Sequence, residues 1–444
     1  MQRLYFGTDG VRGPYGGPVV NEVFFGRLGA ATALWIESRG GSAREVLIGR
    51  DTRASGESLS RAFARGVGGA VSLGVVPTPA ISRAVRLRGA ALGAAVTASH
   101  NPAPDNGIKF FGPDGAKLSD ADEAAIEAFM EGPGGDARAG AAVEVPGEDI
   151  TRDYVDAAAA MLPKGSLAGW RVALDTANGA TVGTSPLAFR ALGAEVLSIG
   201  DRPDGSNINL GVGSEHPQAL SALVLSGGAH LGVAHDGDGD RCVLCDELGQ
   251  VLDGDEILTV LAVHALGRGT LKEKTLVVTV QSNLGVDRAV AEAGGRVVRA
   301  SVGDRYVAEA MRREGATLGG ESSGHIVNFA FGPTGDGLAA ALMVASVMID
   351  TGRPLSQLRG ALRRFPQLST ALRVREKREL SALPGLSGAI RSLEGRLGSG
   401  GRVLVRYSGT ESKLRFLVEG PTDSAVRQGM DSLLAAARGE LEVL

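Results

Sequence analysis

Asp236, Asp238 and Asp240 alternate with glycines in AHDGDGDR, the segment from Ala234 to Arg241. The small neighbours let the backbone fold around one point on which three carboxylates can converge, and such a cluster suits a hard divalent cation. Two cations compete for it. A calcium loop of the EF-hand kind reads D-x-D-x-D-G with a glutamate at its last position, and Glu247 falls there when Asp236 is counted first. Arg241 breaks that match, because it stands where the turn needs glycine. The flanks AHLGVAH and CVLCDE also read as strands, where that motif needs helices. Magnesium takes few protein carboxylates and completes its shell with water or phosphate oxygens, which leaves room for a phosphorylated partner. The plain alternative is an acidic loop facing solvent.

A second candidate is TASHNPAPDNGIKFF, from Thr97 to Phe111. The apolar run LGAAV brings Ser99 to the end of a strand, where a polar turn presents its hydroxyl. A serine so close to Asn-Pro is usually just part of a turn. A phosphate on Ser99 changes the picture, since its charge of about −2 needs a metal and several donors nearby. His100 and Lys109 are the local candidates for proton transfer and charge stabilisation. In GGESSGH, from Gly319 to His325, two glycines allow a tight loop, Glu321 and Ser323 offer hydrogen bonds to sugar hydroxyls, and His325 can exchange a proton near neutral pH. In RYSGTESKLR, from Arg406 to Arg415, serine and threonine hydroxyls, a glycine amide and two arginines compose a phosphate cradle. For either of these two segments alone, a surface loop is an equal reading.

Loops of this kind need strands and helices to hold them. The chain repeats one rhythm of apolar strand, polar or glycine-rich turn, amphipathic helix and strand, which is the signature of α/β layering. It runs from Arg171 to Gly200 as RVALD, TANGATVG, SPLAFRALG and AEVLSIG, and again from Thr275 as TLVVTV, QSNLGVDRAVAEAGG and RVVRAS. A less regular copy leads from EVLIGRD through SGESLSRAFARGVGGA to VSLGVVPTP. The Gly-, Pro- and acid-rich stretch Glu131 to Asp149 reads as a linker, with further breaks around Asp246 to Asp255 and near Phe365 and Pro366. Beyond them, RVLVRYSGTESKLRFLVEG reads as two strands around a loop, followed by a helical tail from Asp423. The expected division is 1–150 with the Ser99 loop, 151–250 with the aspartate loop, 251–365 with GGESSGH and 366–444 with RYSGTESKLR. The first three are α/β and the last is a smaller α+β domain.

Composition agrees with this. At 444 residues the chain exceeds one ordinary domain, so several cores with a cleft between them are expected. Its 43% hydrophobic and 22% charged residues are those of a globular protein, and its 66 glycines suit many tight loops. A net charge of −4 without a basic stripe argues against nucleic acid as a partner. No apolar run is long enough for a membrane span and the N-terminus carries no signal pattern, so a cytoplasmic protein with no membrane partner is expected. Cys242 and Cys245 form a C-x-x-C inside a strand-like run, which reads as two ordinary half-buried thiols instead of a zinc or redox motif.

Taken in order along the chain, TASHNP, DGDGDR, GGExSGH and RxSGTE resemble the loops of the α-D-phosphohexomutase family, and the resemblance runs from FGTDGVRG at residues 6 to 13 through VEG at residue 420. It implies three related α/β domains with mixed sheets plus a smaller α+β C-terminal domain around a central cleft. It further implies Ser99 as the phosphoserine, with Asp236, Asp238 and Asp240 holding one Mg2+ per active site together with a Ser99 phosphate oxygen. Arg241 would lie beside the transferring group, with His100, Lys109 and His325 near the chemistry. Thr8, Arg12, Asp304, Arg305, Glu321 and Ser323 would bind the sugar phosphate, and Arg406, Ser408, Gly409, Thr410 and Arg415 would hold the idle phosphate. Within the family, FGTDGVRG, DNGIKFF, DTANGA, SNLGV, VGDRYV and TGDGL point to members acting on glucosamine phosphates through a hexosamine 1,6-bisphosphate, with a product that feeds UDP-N-acetylglucosamine. The alternative is a glucose or mannose phosphate. Ser322 stands at the variable position of GGExSGH, where substrates could be told apart. The implied partner is a small sugar phosphate, with monomer and homodimer both open.

Overall fold

The computed structural model describes residues 3–41, 46–132, 147–408 and 412–444. Most of the expected linker, with Gly409 and Thr410, lies outside these described residues. The chain forms two compact units, Met1–Val280 with Val298–Ala361 and Gln281–Val297 with Leu362–Leu444.

Three mixed sheets share one plan. The first comprises β1 (Val11–Pro14), β2 (Val46–Arg50), β3 (Val71–Val75), β4 (Leu92–Val96) and β5 (Asp105–Phe111), in the order β1-β5-β4-β2-β3. Around it lie α1 (Glu22–Ser38), α2 (Gly56–Val67), α3 (Thr78–Arg88) and α4 (Asp120–Glu131). β4 is buried along its whole length, which is why it reads as a continuous apolar run instead of alternating. The second sheet comprises β6 (Arg171–Asp175), β7 (Glu195–Ile199), β8 (Leu231–His235), β9 (Cys242–Cys245) and β10 (Val251–Leu252), in the order β10-β9-β8-β6-β7. Its helices are α5 (Thr151–Ala159), α6 (Ser185–Ala191) and α7 (Gln218–Gly227).

The third sheet, in the order β12-β11-β13-β14, comprises β11 (Thr275–Thr279), β12 (Arg296–Ala300), β13 (Leu318–Gly320) and β14 (Ile326–Asn328). Its part of the chain carries α8 (Gly254–Gly267), α9 (Leu284–Glu292), α10 (Asp304–Glu314), α11 (Gly337–Thr351) and α12 (Leu355–Leu358), of which α9 belongs to the second unit. In every sheet a strand of the parallel set hands the chain to an antiparallel neighbour: β4 to β5, β8 to β9, β13 to β14. The three handover loops carry Ser99, the aspartates and Glu321. They leave from the carboxyl ends of parallel strands, where α/β sheets present ligands.

The second unit contains an antiparallel sheet of β15 (Gln367–Arg373), β16 (Arg402–Tyr407) and β17 (Lys413–Glu419), in the order β15-β17-β16, with α13 (Pro384–Leu397) and α14 (Asp423–Glu440). Alternation along β17 sends Leu414, Phe416 and Val418 into a core with Leu386, Leu393 and Leu433, and puts Lys413 and Arg415 on the other face. The fold class is therefore the one implied by the resemblance: three α/β parts with mixed sheets and a smaller α+β C-terminal part. Among the described residues no single helix is long and apolar enough to cross a membrane.

One expectation is corrected. Cys242 and Cys245 are fully buried, not half-buried, because β9 is an interior strand flanked by β8 and β10. Burial pushes the Cys245 thiol up to about 12 and that of Cys242 higher still, so neither is a ready nucleophile.

Candidate active site

Ser99 follows β4 with φ at +53°, a left-handed backbone that serine seldom adopts. From there its hydroxyl donates to Asp236 Oδ2 at 2.6 Å and lies 3.3 Å from His100 Nδ1. Burial and the nearby Arg241 guanidinium lower the His100 pKa, so its imidazole is neutral.

Asp236, Asp238 and Asp240 are buried, and one oxygen from each falls within 4.8 Å of the others. Burial and the other two carboxylates push Asp236 well above the usual carboxylate range. Asp238 Oδ1 and Asp240 Oδ1 have no hydrogen-bond partner among the described residues. Two buried oxygens without a hydrogen-bond donor, of which Asp240 Oδ1 has only longer ion pairs to His325 at 3.6 Å and Arg241 at 3.8 Å, fit a hard divalent cation in an all-oxygen cluster of like charges. The opposite oxygens are held by protein: Lys109 Nζ donates to Asp238 Oδ2 and Asp240 Oδ2 at 2.7 Å each, and Thr78 Oγ1 donates to Asp238 Oδ2 at 2.6 Å. Burial opposes the Lys109 charge, but Asp238 and Asp240 hold its pKa well above the ordinary value. His235 closes the loop from beneath, with Nδ1 3.2 Å from the Arg241 carbonyl and Nε2 3.0 Å from Ser185 Oγ.

His325 reaches the same cluster from the third loop. Its Nδ1 lies 3.6 Å from Asp240 Oδ1, and its Nε2 lies 3.1 Å from Asp304 Oδ2. Burial disfavours its charge, but Asp304 and Asp240 outweigh that and push it up to about 10. Asp304 is in turn bound by Lys117 Nζ at 2.6 Å, and Lys117 also pairs with Asp9, the partner of Arg12. Glu321 accepts the Gly303 N–H at 3.0 Å, and burial raises its pKa. Thr8 and Ser323 are exposed, and Thr8 packs against Gly303, where an added Cβ would come within 3.0 Å of its methyl group.

The structure thus brings together Ser99, His100, Lys109, the three aspartates, Arg241, Asp304 and His325, with Arg12 linked to them through Asp9 and Lys117. Arg305 does not join them. Its guanidinium donates to Glu123 at 2.6 and 3.0 Å and pairs with Asp120, an arrangement that an adjacent Asp-Arg pair in VGDRYV does not reveal. Sequence reasoning missed Thr78, Lys117 and Asp9. Of these, Asp9 lies in FGTDGVRG and Thr78 opens α3 between two prolines, both visible signals, whereas nothing near Lys117 announces its role.

In the second unit, Arg406 and Arg415 are direct cross-strand partners on β16 and β17. With Lys413, Ser369 and Gln281 they line a groove of about 310 Å³. Burial and the facing Arg415 lower the Arg406 pKa. Ser408 is buried and its N–H donates to the Lys413 carbonyl at 2.9 Å.

The sequence matches the family profiles described as phosphoglucomutase/phosphomannomutase α/β/α domain I over residues 3–134, domain II over 152–249, domain III over 253–365 and C-terminal domain over 370–436. Among curated relatives, it is 43% identical to a phosphoglucosamine mutase of Cereibacter sphaeroides over 446 residues, covering 99% of both chains. It is 44% identical to a phosphoglucosamine mutase of Moorella thermoacetica over 442 residues, covering 98% of this chain and 99% of the relative. Among solved structures, the fold is similar to a phosphoglucomutase/phosphomannomutase family protein of Burkholderia thailandensis, with TM-score 0.80, 24% identity and 98% of each chain covered. An Aspergillus fumigatus N-acetylphosphoglucosamine mutase in complex with GlcNAc-6P and magnesium gives TM-score 0.68 at 18% identity, covering 99% of this chain and 96% of that one.

Proposed function

The chain belongs to the phosphoglucomutase/phosphomannomutase family, and from that premise we infer that it interconverts glucosamine 6-phosphate and glucosamine 1-phosphate in the cytoplasm through a phosphorylated Ser99. One observation carries the mechanism: the Ser99 hydroxyl meets Asp236 of the converging carboxylates, so that a nucleophile and a cation site share one point. The choice of sugar follows the curated relatives.

Isomerisation needs a phosphoryl donor, and a serine phosphate is one once its developing charge is neutralised. The sugar O1 attacks the Ser99 phosphorus, the P–Oγ bond breaks as the P–O1 bond forms, and a hexosamine 1,6-bisphosphate results. The proton of the attacking hydroxyl passes to the neutral His100 imidazole, which lies 3.3 Å from the departing Ser99 oxygen and returns it there. Lys109 and His325 are held in their charged forms by Asp240 and have no lone pair to offer. The bisphosphate then turns, presents its 6-phosphate to Ser99 and returns the phosphoryl group. Asp236, Asp238 and Asp240 would hold one Mg2+, which supplies charge neutralisation at the transferred group. Arg241, held at the end of the same loop, adds a second positive charge. Glu321 and Ser323 grip sugar hydroxyls, and Arg406, Ser408, Gly409, Thr410 and Arg415 hold the idle phosphate.

A phosphorus NMR time course tests this reading, with magnesium, a trace of hexose 1,6-bisphosphate and either glucosamine 6-phosphate or glucose 6-phosphate. Conversion mainly of the glucosamine compound is expected. Faster conversion of the glucose compound replaces the substrate, and release of free phosphate alone overturns the mutase reading.

A further inference from the structure

Arg53 is fully buried, an expensive place for a charge unless every donor is used. All five of its N–H groups are used. Nε donates to Asp51 Oδ2 at 2.9 Å, one terminal nitrogen to the carbonyls of Pro102 and Asp105 at 2.5 and 2.8 Å, and the other to those of Ser99 and Asn101 at 3.0 and 2.8 Å. Four of its five acceptors are backbone oxygens of the loop that presents Ser99.

The same network holds the other side of the Ser99 residue. Asp51 Oδ2 also accepts the Thr97 hydroxyl at 2.7 Å, and Thr97 Oγ1 accepts the Ser99 N–H at 2.9 Å. From the second sheet's part of the chain, Asn209 Nδ2 donates to the Ser99 and Asn101 carbonyls at 2.9 and 3.0 Å. Gly237 of the aspartate loop closes on that carbonyl so tightly that a Cβ there would lie 2.5 Å from its oxygen. Both peptide groups of a residue in a left-handed conformation are therefore fixed from three directions. A strained backbone persists only when its surroundings over-determine it.

We propose that Arg53 is a positioning residue: by gathering the four loop carbonyls it holds the left-handed backbone of Ser99 and aims the Ser99 oxygen at the reacting phosphorus. The proposal rests on the reading of Ser99 as the phosphoryl carrier. Lysine cannot replace it, because an ammonium has three donors and no planar fork. Misplacing the reacting oxygen by an ångström slows transfer without loosening the grip on the rest of the sugar phosphate.

The test compares wild type with Arg53→Lys, Asn209→Ala, Thr97→Val and Thr97→Ser. The readouts are thermal unfolding, kcat and KM, and the rate at which glucose 1,6-bisphosphate with magnesium phosphorylates Ser99, followed by mass spectrometry. In wild type Ser99 becomes phosphorylated. In Arg53→Lys, Asn209→Ala and Thr97→Val, kcat and the phosphorylation rate fall together by about tenfold or more while KM changes little, and Thr97→Ser recovers most of the loss. If Arg53→Lys fails to fold, Asn209→Ala and Thr97→Val carry the test. Folded variants with wild-type kcat overturn the positioning role alone. Absence of phosphate on wild-type Ser99 overturns the reading beneath it as well.

Discussion

The Ser99 hydroxyl donates to Asp236 at 2.6 Å although the two residues stand 137 positions apart. Two sheets must therefore be in place before nucleophile and cation site exist as one object. Ser99→Ala removes the phosphoryl carrier and leaves the sugar and phosphate grips intact. Turnover is expected to vanish while binding of a hexose phosphate, measured by calorimetry, changes by less than about twofold. Substantial remaining turnover would take Ser99 out of its role.

Burial and the neighbouring Asp238 and Asp240 raise the Asp236 pKa, so the charged Asp236 carboxylate opposes folding until a cation meets it. Magnesium at a hundred times its dissociation constant should stabilise the wild type by about 2.7 kcal/mol, and chelation should remove the gain. Asp236→Asn relieves part of the repulsion and deletes a ligand. Its melting temperature without magnesium is expected to exceed that of wild type, and its response to magnesium to shrink. An undiminished response would exclude Asp236 as a ligand.

The parts of this arrangement that sequence reveals are those whose chemistry is local. LGAAV announced β4 because a strand covered on both faces has no polar positions, and glycines interleaved with aspartates announced a loop on which carboxylates converge. What stayed hidden depends on partners far along the chain. No local signal marks Arg53, whose loop partners lie 46 to 52 residues away. Lys117 acquires meaning only when Asp9 and Asp304 meet it. The resemblance in VGDRYV implies Arg305 as a substrate residue, but although Asp304 faces His325, one position further along the first turn of α10 the side chain turns to Glu123.

Arg305 and Glu123 form a buried pair, supplemented by Arg3, which also donates to Glu123 at 2.5 Å. Arg305→Ala leaves Glu123 buried with only one cation. A loss of about 3 kcal/mol in unfolding free energy is expected, with little change in KM for the sugar phosphate. A raised KM with unaltered stability would return Arg305 to the substrate site.

Asp336 caps α11 by accepting the Ala339 N–H at 2.9 Å, and it receives the Tyr154 hydroxyl at 2.9 Å. Burial, only partly offset by these donors, pushes its carboxyl up to about 6. The folded state therefore binds a proton that the unfolded chain releases between about pH 4 and pH 6. The charged carboxylate costs stability above that window, and the cost disappears as pH falls through it. A shift of about two units corresponds to about 3 kcal/mol. Asparagine keeps the cap but cannot ionise. The melting temperature of Asp336→Asn should therefore exceed that of wild type near pH 7.5, and the excess should shrink towards about pH 4.5. A difference that does not vary with pH would mean that Asp336 titrates at its ordinary value, and that the Tyr154 hydroxyl and the Ala339 N–H between them compensate for burial in full.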